Sequence, residues 1–187
     1  MNRILALIIL VTTLSLLFAP SLASGEIKVT PPTNWQPDPD NNPDTMWWYQ
    51  KPTKSTFAIN KGPINMSFPL FLVGPIMAQA FADQGILESL DQVTFGHSNF
   101  GYRYFLNLTS PSKLANTSTF IQPGSILDLL DKGYDVPYKG MLILTEKQGD
   151  LYAIVLMSPK ESFDNILNEI KPTIDSLRLS NSIGMLN

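Results

Sequence analysis

Two apolar runs, Met141–Leu144 and Leu151–Met157, follow one another with only a short polar break, and neither alternates. A strand with one wet face reads apolar, polar, apolar; a strand without that rhythm is covered on both sides. Between the runs, Lys147-Gln148-Gly149-Asp150 supplies polar turn formers and a Gly free to take positive φ, which predicts a hairpin. An antiparallel central pair sandwiched between layers is therefore expected. Ser158-Pro159 ends the second run, Ser158 or Ser162 stands where a helix cap is needed, and Glu161 favours the first turn. Phe163, Ile166, Leu167, Ile170, Ile174 and Leu177 then recur at intervals of three or four, the stripe of an amphipathic helix. Pro172 deletes the hydrogen bond its N–H would make to residue 168, so a kink or an early end is expected there. Leu177-Arg178-Leu179 reads as a short final edge strand.

The chain opens like a secretory signal. Arg3 gives a basic start, Ile4–Ala19 an apolar centre, and Ser21-Leu22-Ala23 a small-residue cleavage pattern. An apolar run of about 16 residues is short for the roughly 20 that a spanning helix needs. Residues 1–23 are thus expected to be removed, leaving residues 24–187 as a single domain. Without Arg3, 12 basic residues face 16 acidic ones, and no basic run offers a footprint for nucleic acid. The chain has no cysteine, so an exported fold of this kind rests on a hydrophobic core rather than disulfides. Thiolate metal sites, cysteine nucleophiles and acyl-cysteine anchors are excluded as well.

The intervening chain reads mostly as strands. Glu26–Thr30 alternates and leads to Pro31-Pro32 and Trp35, while Gln36–Thr45 is a polar, Pro- and Asn-rich loop. Met46–Gln50 and Thr56–Asn60 predict strands around Lys54-Ser55. Phe68–Leu90 predicts a second helical region starting at Gly74-Pro75, with Ile76, Met77, Ala80 and Phe81 buried and Gly85 as a stop. Gln92–Ser98 and Gly101–Thr109 predict another hairpin that turns at Ser98–Gly101. Ser110–Asp135 is irregular, with a short helix expected at Ser125–Leu130.

A first strand leading to Pro32 and Trp35, a hairpin, a helix, more antiparallel strands, then a hairpin and a helix closing on Ile174-Asp175-Ser176-Leu177 resemble the PsbP-like proteins. These are small exported α/β/α sandwiches that include the extrinsic subunit of photosystem II. The similarity covers most of the chain after the leader; its local motifs are a Pro-x-x-Trp opening and a helix ending Ile-x-Ser-Leu. The resemblance implies an α+β fold, a central and mainly antiparallel sheet flanked by helices. Photosystem subunits of the family carry an extended segment ahead of the domain. Here the first strand starts close to the expected cleavage site, so a non-photosynthetic relative is expected.

Chemistry-bearing residues are few. His97 is the single histidine, in Gly96-His97-Ser98 with no G-x-S-x-G elbow, and is read as a turn residue without catalytic duty. Asp38, Asp40, Asn42 and Asp44 match the opening ligands of a calcium loop, but Pro43 and Tyr49 occupy the places of its Gly and bidentate Glu. No tight metal site and no cofactor are expected, and a weak calcium loop is the alternative. Trp47 and Tyr49 share one face of a strand and Trp48 the other, and all are read as core, as are Tyr102 and Tyr104 beside Arg103. Sequons at Asn65, Asn107 and Asn116 mark candidate glycosylation sites, Asn116 the best placed.

The expected function is a non-enzymatic binding or assembly domain, exported to the extracellular face, the cell surface or a periplasm-like space. Its expected partner is an extracytoplasmic or membrane-associated protein, with peripheral membrane association left open. A small-ligand or calcium-binding module is the alternative.

Overall fold

The structure, a computed structural model, describes residues 25–39, 45–50, 52–63, 69–108, 136–147 and 150–181. The elements are β1 (Gly25–Lys28), β2 (Gln36–Pro37), β3 (Thr45–Gln50), β4 (Ser55–Pro63), α1 (Leu70–Asp83), β5 (Leu87–Phe95), β6 (Asn99–Leu108), β7 (Tyr138–Lys147), β8 (Asp150–Pro159), α2 (Phe163–Ser176) and β9 (Arg178–Asn181). Seven strands form one sheet in the order β2-β3-β4-β8-β7-β6-β5, and β1 pairs with β9 in a separate ribbon. Every described pairing is antiparallel. This is an α+β fold.

The expected hairpin lies at its centre. β7 and β8 pair from Tyr138 opposite Pro159 to Lys147 opposite Asp150, and β4 flanks β8 on its other side. All of Leu151–Met157 is buried. Tyr152, Ile154 and Leu156 enter one apolar cluster with Phe163, Ile166, Ile170 and Ile174 of α2. Leu151, Ala153, Val155 and Met157 enter a second cluster with Leu70, Met77 and Phe81 of α1. Successive side chains of a strand point to opposite faces, so an unbroken apolar run serves both clusters at once. Fully burying a residue such as Ile154 or Leu156 contributes about 1.5–3 kcal/mol.

Several local expectations need correction. Pro172 does not end α2 early; the helix continues past it to Ser176. Ser162 occupies its N-cap without a side-chain bond, and Asp164, not Glu161, is the acidic residue of the first turn. Ser158 caps nothing: its hydroxyl meets that of Ser55 at 2.9 Å, a buried polar pair linking β4 and β8. Gln36-Pro37 is not loop but a two-residue strand opposite Tyr49 and Trp48. β5 and β6 turn at residues 96–98, with Ser98 at φ 65°. The expected short final edge strand is present as β9, an edge of the two-stranded ribbon it forms with β1. The proposed helix at 125–130 and the leader at 1–23 lie outside the described residues.

Candidate functional site

Helix α1 reads LFLVGPIMAQAFAD, without a polar residue before Gln79. A helix apolar on every side normally lies inside a large core. Here the sheet takes only one side of it. Leu70, Gly74, Met77, Ala78 and Phe81 are buried, whereas Phe71 is 61% exposed, Leu72 42% and Ile76 57%. Pro75 is exposed between them. The helix starts at Leu70, four residues ahead of the expected Gly74-Pro75 start, and of the expected stripe Met77 and Phe81 are buried while the other two differ. Ile76 points outward, Ala80 is half-buried, and Ala78 takes the inner position.

What fixes this rotation is a close approach in the middle of the helix. A Cβ on Gly74 would lie 2.5 Å from the ring of Tyr102, so only glycine lets α1 sit this near β6. The Tyr104 hydroxyl donates to the Gly74 carbonyl at 2.9 Å from the next inward position of that strand. Tyr104 is fully buried, and burial, reinforced by neighbouring Tyr102, pushes its phenol well above the ordinary tyrosine range. At the N-terminus, the Leu70 N–H donates to Glu146 Oε2 of β7 at 3.4 Å, placing a carboxylate where the helix itself has no acidic residue. At the other end Gly85, at φ +69°, stops the helix and lets Leu87 begin β5. Three anchors thus prevent the outer stripe from rolling inward. Phe100, 46% exposed, meets Tyr102 edge-on at 5.8 Å, on the same face of β6.

The sequence-marked residues do not converge on one place. His97 sits in the exposed β5–β6 turn, where its Nε2 accepts from Arg178 Nε at 2.9 Å, tying that turn to β9. Asp38 is exposed, its N–H donating to the Trp47 carbonyl at 2.9 Å; Asp40, Asn42 and Asp44 lie outside the described residues. Among the described residues, no three His, Cys, Asp or Glu side chains are grouped to hold a metal. Asn107 is half-buried on β6 with its Oδ1 unpaired, while Asn65 and Asn116 lie outside the described residues. Trp48 is core and stacks on Phe57 at 5.5 Å, Trp47 is half-buried, and Tyr49 is 39% exposed. Tyr102 and Tyr104 are buried on the α1 side, and Arg103 on the opposite face pairs with Asp91 and covers the Phe105 ring at 5.1 Å. The sequence signal for the exposed residues of α1 is the lack of any polar residue from 70 to 78.

Among the described residues no helix is long and apolar enough to cross a membrane. No protein-family model matches the chain, and no curated protein matches it. Solved structures do. A protein from Bacteroides thetaiotaomicron matches 85% of this chain at 13% identity and TM-score 0.47; the chain spans 50% of that protein's length. LpqN, involved in cell envelope biogenesis of Mycobacterium tuberculosis, matches 86% of the chain and 86% of its own length, at 9% identity and TM-score 0.49. Cyanobacterial PsbP from Synechocystis matches 86% of the chain and 95% of its own length, at 11% identity and TM-score 0.44. These similarities are too distant to assign this chain to a family.

Proposed function

We propose that this chain is an exported, non-enzymatic binding domain that works outside the cytoplasm and is held at the cell envelope through the outer face of α1. The observation that carries the reading is the exposure of Phe71, Leu72 and Ile76 on a helix whose rotation is fixed from within. Large apolar side chains grouped in the open mark interaction surfaces more often than singly scattered ones. The apolar leader at 1–23 supports export, and the single histidine and absent cysteines support a role without catalysis. We read the architecture as a PsbP-like α/β/α sandwich, a reading supported by the alternate allegiance of β8 to the clusters of α1 and α2.

Fractionation of cells producing the chain tests this. The wild type is expected outside the cytoplasm and with the envelope. A Phe71→Ser, Ile76→Ser double variant, folded as judged by its melt, is expected in the soluble extracytoplasmic fraction. A variant that stays with the envelope contradicts the reading.

A further inference from the structure

The chemistry of the α1 surface narrows what it binds. Taking the roughly 200 Å² of an aromatic side chain as an upper value for all three, the exposed parts of Phe71, Leu72 and Ile76 leave at most on the order of 300 Å² of apolar surface open. A stable contact with a protein, or with a second copy of this chain, buries about 800 Å² on each partner. The stripe alone supplies less than half of that. Its composition also differs from the centre of a protein interface, where Trp, Tyr and Arg dominate the energy; α1 contains none of the three. A lipid boundary sets no such minimum area, and it accepts an apolar helix face with strength that grows with the surface buried. In a free interfacial helix the opposite face is polar; here the sheet covers that face instead.

We propose that the outer face of α1 inserts shallowly into the hydrocarbon boundary of a lipid membrane. This rests on the reading of that face as the binding surface and names what it binds. The attachment is apolar and not electrostatic. α1 carries no Lys or Arg, its first charged residue is Asp83, and the whole chain bears a net charge of −3. Attraction between basic segments and anionic headgroups therefore contributes nothing at this face. Phe100, exposed and edge-on to the Tyr102 ring that faces Gly74, adds apolar surface on the same side of the sheet.

The test is co-sedimentation of the purified chain with phosphatidylcholine vesicles, and with vesicles of phosphatidylcholine mixed equally with phosphatidylglycerol. The N-terminus is established beforehand by intact mass. The expected result is binding to both kinds, undiminished by salt, with partition falling at least about tenfold in the Phe71→Ser, Ile76→Ser variant. Should that variant melt early, Ile76→Gln alone is used, with a smaller fall expected. Equal partition of wild type and variant overturns the proposal, as does binding that requires phosphatidylglycerol. Failure of the wild type to bind either vesicle also overturns it. If the variant nevertheless leaves the envelope in cells, the binding surface stands and its partner is a protein; if the variant remains there, both readings fall.

Discussion

The two helices are the same length and serve the same sheet, yet only one is fully explained by the core. α2 buries Phe163, Ile166, Ile170, Thr173 and Ile174 and shows Asp164, Asn165, Asn168, Glu169, Lys171 and Asp175 to solvent. Even its outer polar groups are engaged: Glu169 Oε1 accepts from Trp35 Nε1 at 2.8 Å and from Gln50 Nε2 at 2.9 Å, and Lys171 pairs with Asp175. α1 buries a comparable inner stripe but keeps apolar residues outside. Each helix contains a proline, Pro75 or Pro172, so proline does not distinguish them. The difference lies in the outer face, and packing among the described residues gives no reason for Phe71 or Ile76.

The largest effects are expected in the strand both helices share. Ile154→Asp would bury a carboxylate under α2, and Val155→Asp would bury one under α1, each without a partner. Neither variant should retain a cooperative melt at the wild-type temperature. A wild-type midpoint for one of them would mean that its helix does not cover the sheet, and the comparison would collapse. Ile170→Ala removes packing from the α2 side alone and is expected to cost about 2–5 kcal/mol in denaturant unfolding.

Gly74→Ala tests the α1 side. The new methyl meets the Tyr102 ring, and a loss of about 1–3 kcal/mol is expected despite alanine's better helix propensity. Asn168→Ala, on the outer face of α2, should change stability by less than about 0.5 kcal/mol. Equal effects would show that α1 is not held at the distance that fixes its rotation.

A smaller and pH-dependent effect is expected at Tyr104. Its phenol pKa is raised in the folded state, so its contribution to stability is complete below the unfolded value of about 10 and declines as pH rises through the folded value. Tyr104→Phe should lose about 1 kcal/mol at neutral pH with the bond to Gly74. Above about pH 10 it should decline less steeply than the wild type in denaturant titrations. Parallel alkaline limbs would show that the hydroxyl is not buried against α1.

Much of the α2 half was legible because its signals are local. The unbroken apolar run of Leu151–Met157 and the three-and-four spacing after Phe163 each point one way. The α1 half was harder for a physical reason. An apolar stretch with no polar face carries no direction, so periodicity cannot tell whether Met77 or Ile76 turns inward. Gly74-Pro75 resembles a helix start because proline suits the first turn; the glycine is there for Tyr102, whose position only the sheet determines. Leu87–Leu90 is compatible with a helix and became strand because Gly85 takes a positive φ and β6 offers a partner. Gln36-Pro37 likewise depends on pairing with Trp48 and Tyr49. The α1 surface itself was readable only as an anomaly, a helix lacking the polar side that solvent demands.

Adjacent residues of α1 put the central claim to its most direct test. Met77 is 3% exposed and Ile76 is 57% exposed, so one turn of helix presents both roles. Thermal or denaturant unfolding and envelope fractionation are measured together on Met77→Ala and Ile76→Ser. Met77→Ala is expected to lose about 2–5 kcal/mol of stability, whereas Ile76→Ser should unfold within about 0.5 kcal/mol of wild type and yet be depleted from the envelope. An Ile76→Ser chain as unstable as Met77→Ala, or one as stable as wild type that remains at the envelope, would contradict the assignment of α1's outer face to binding.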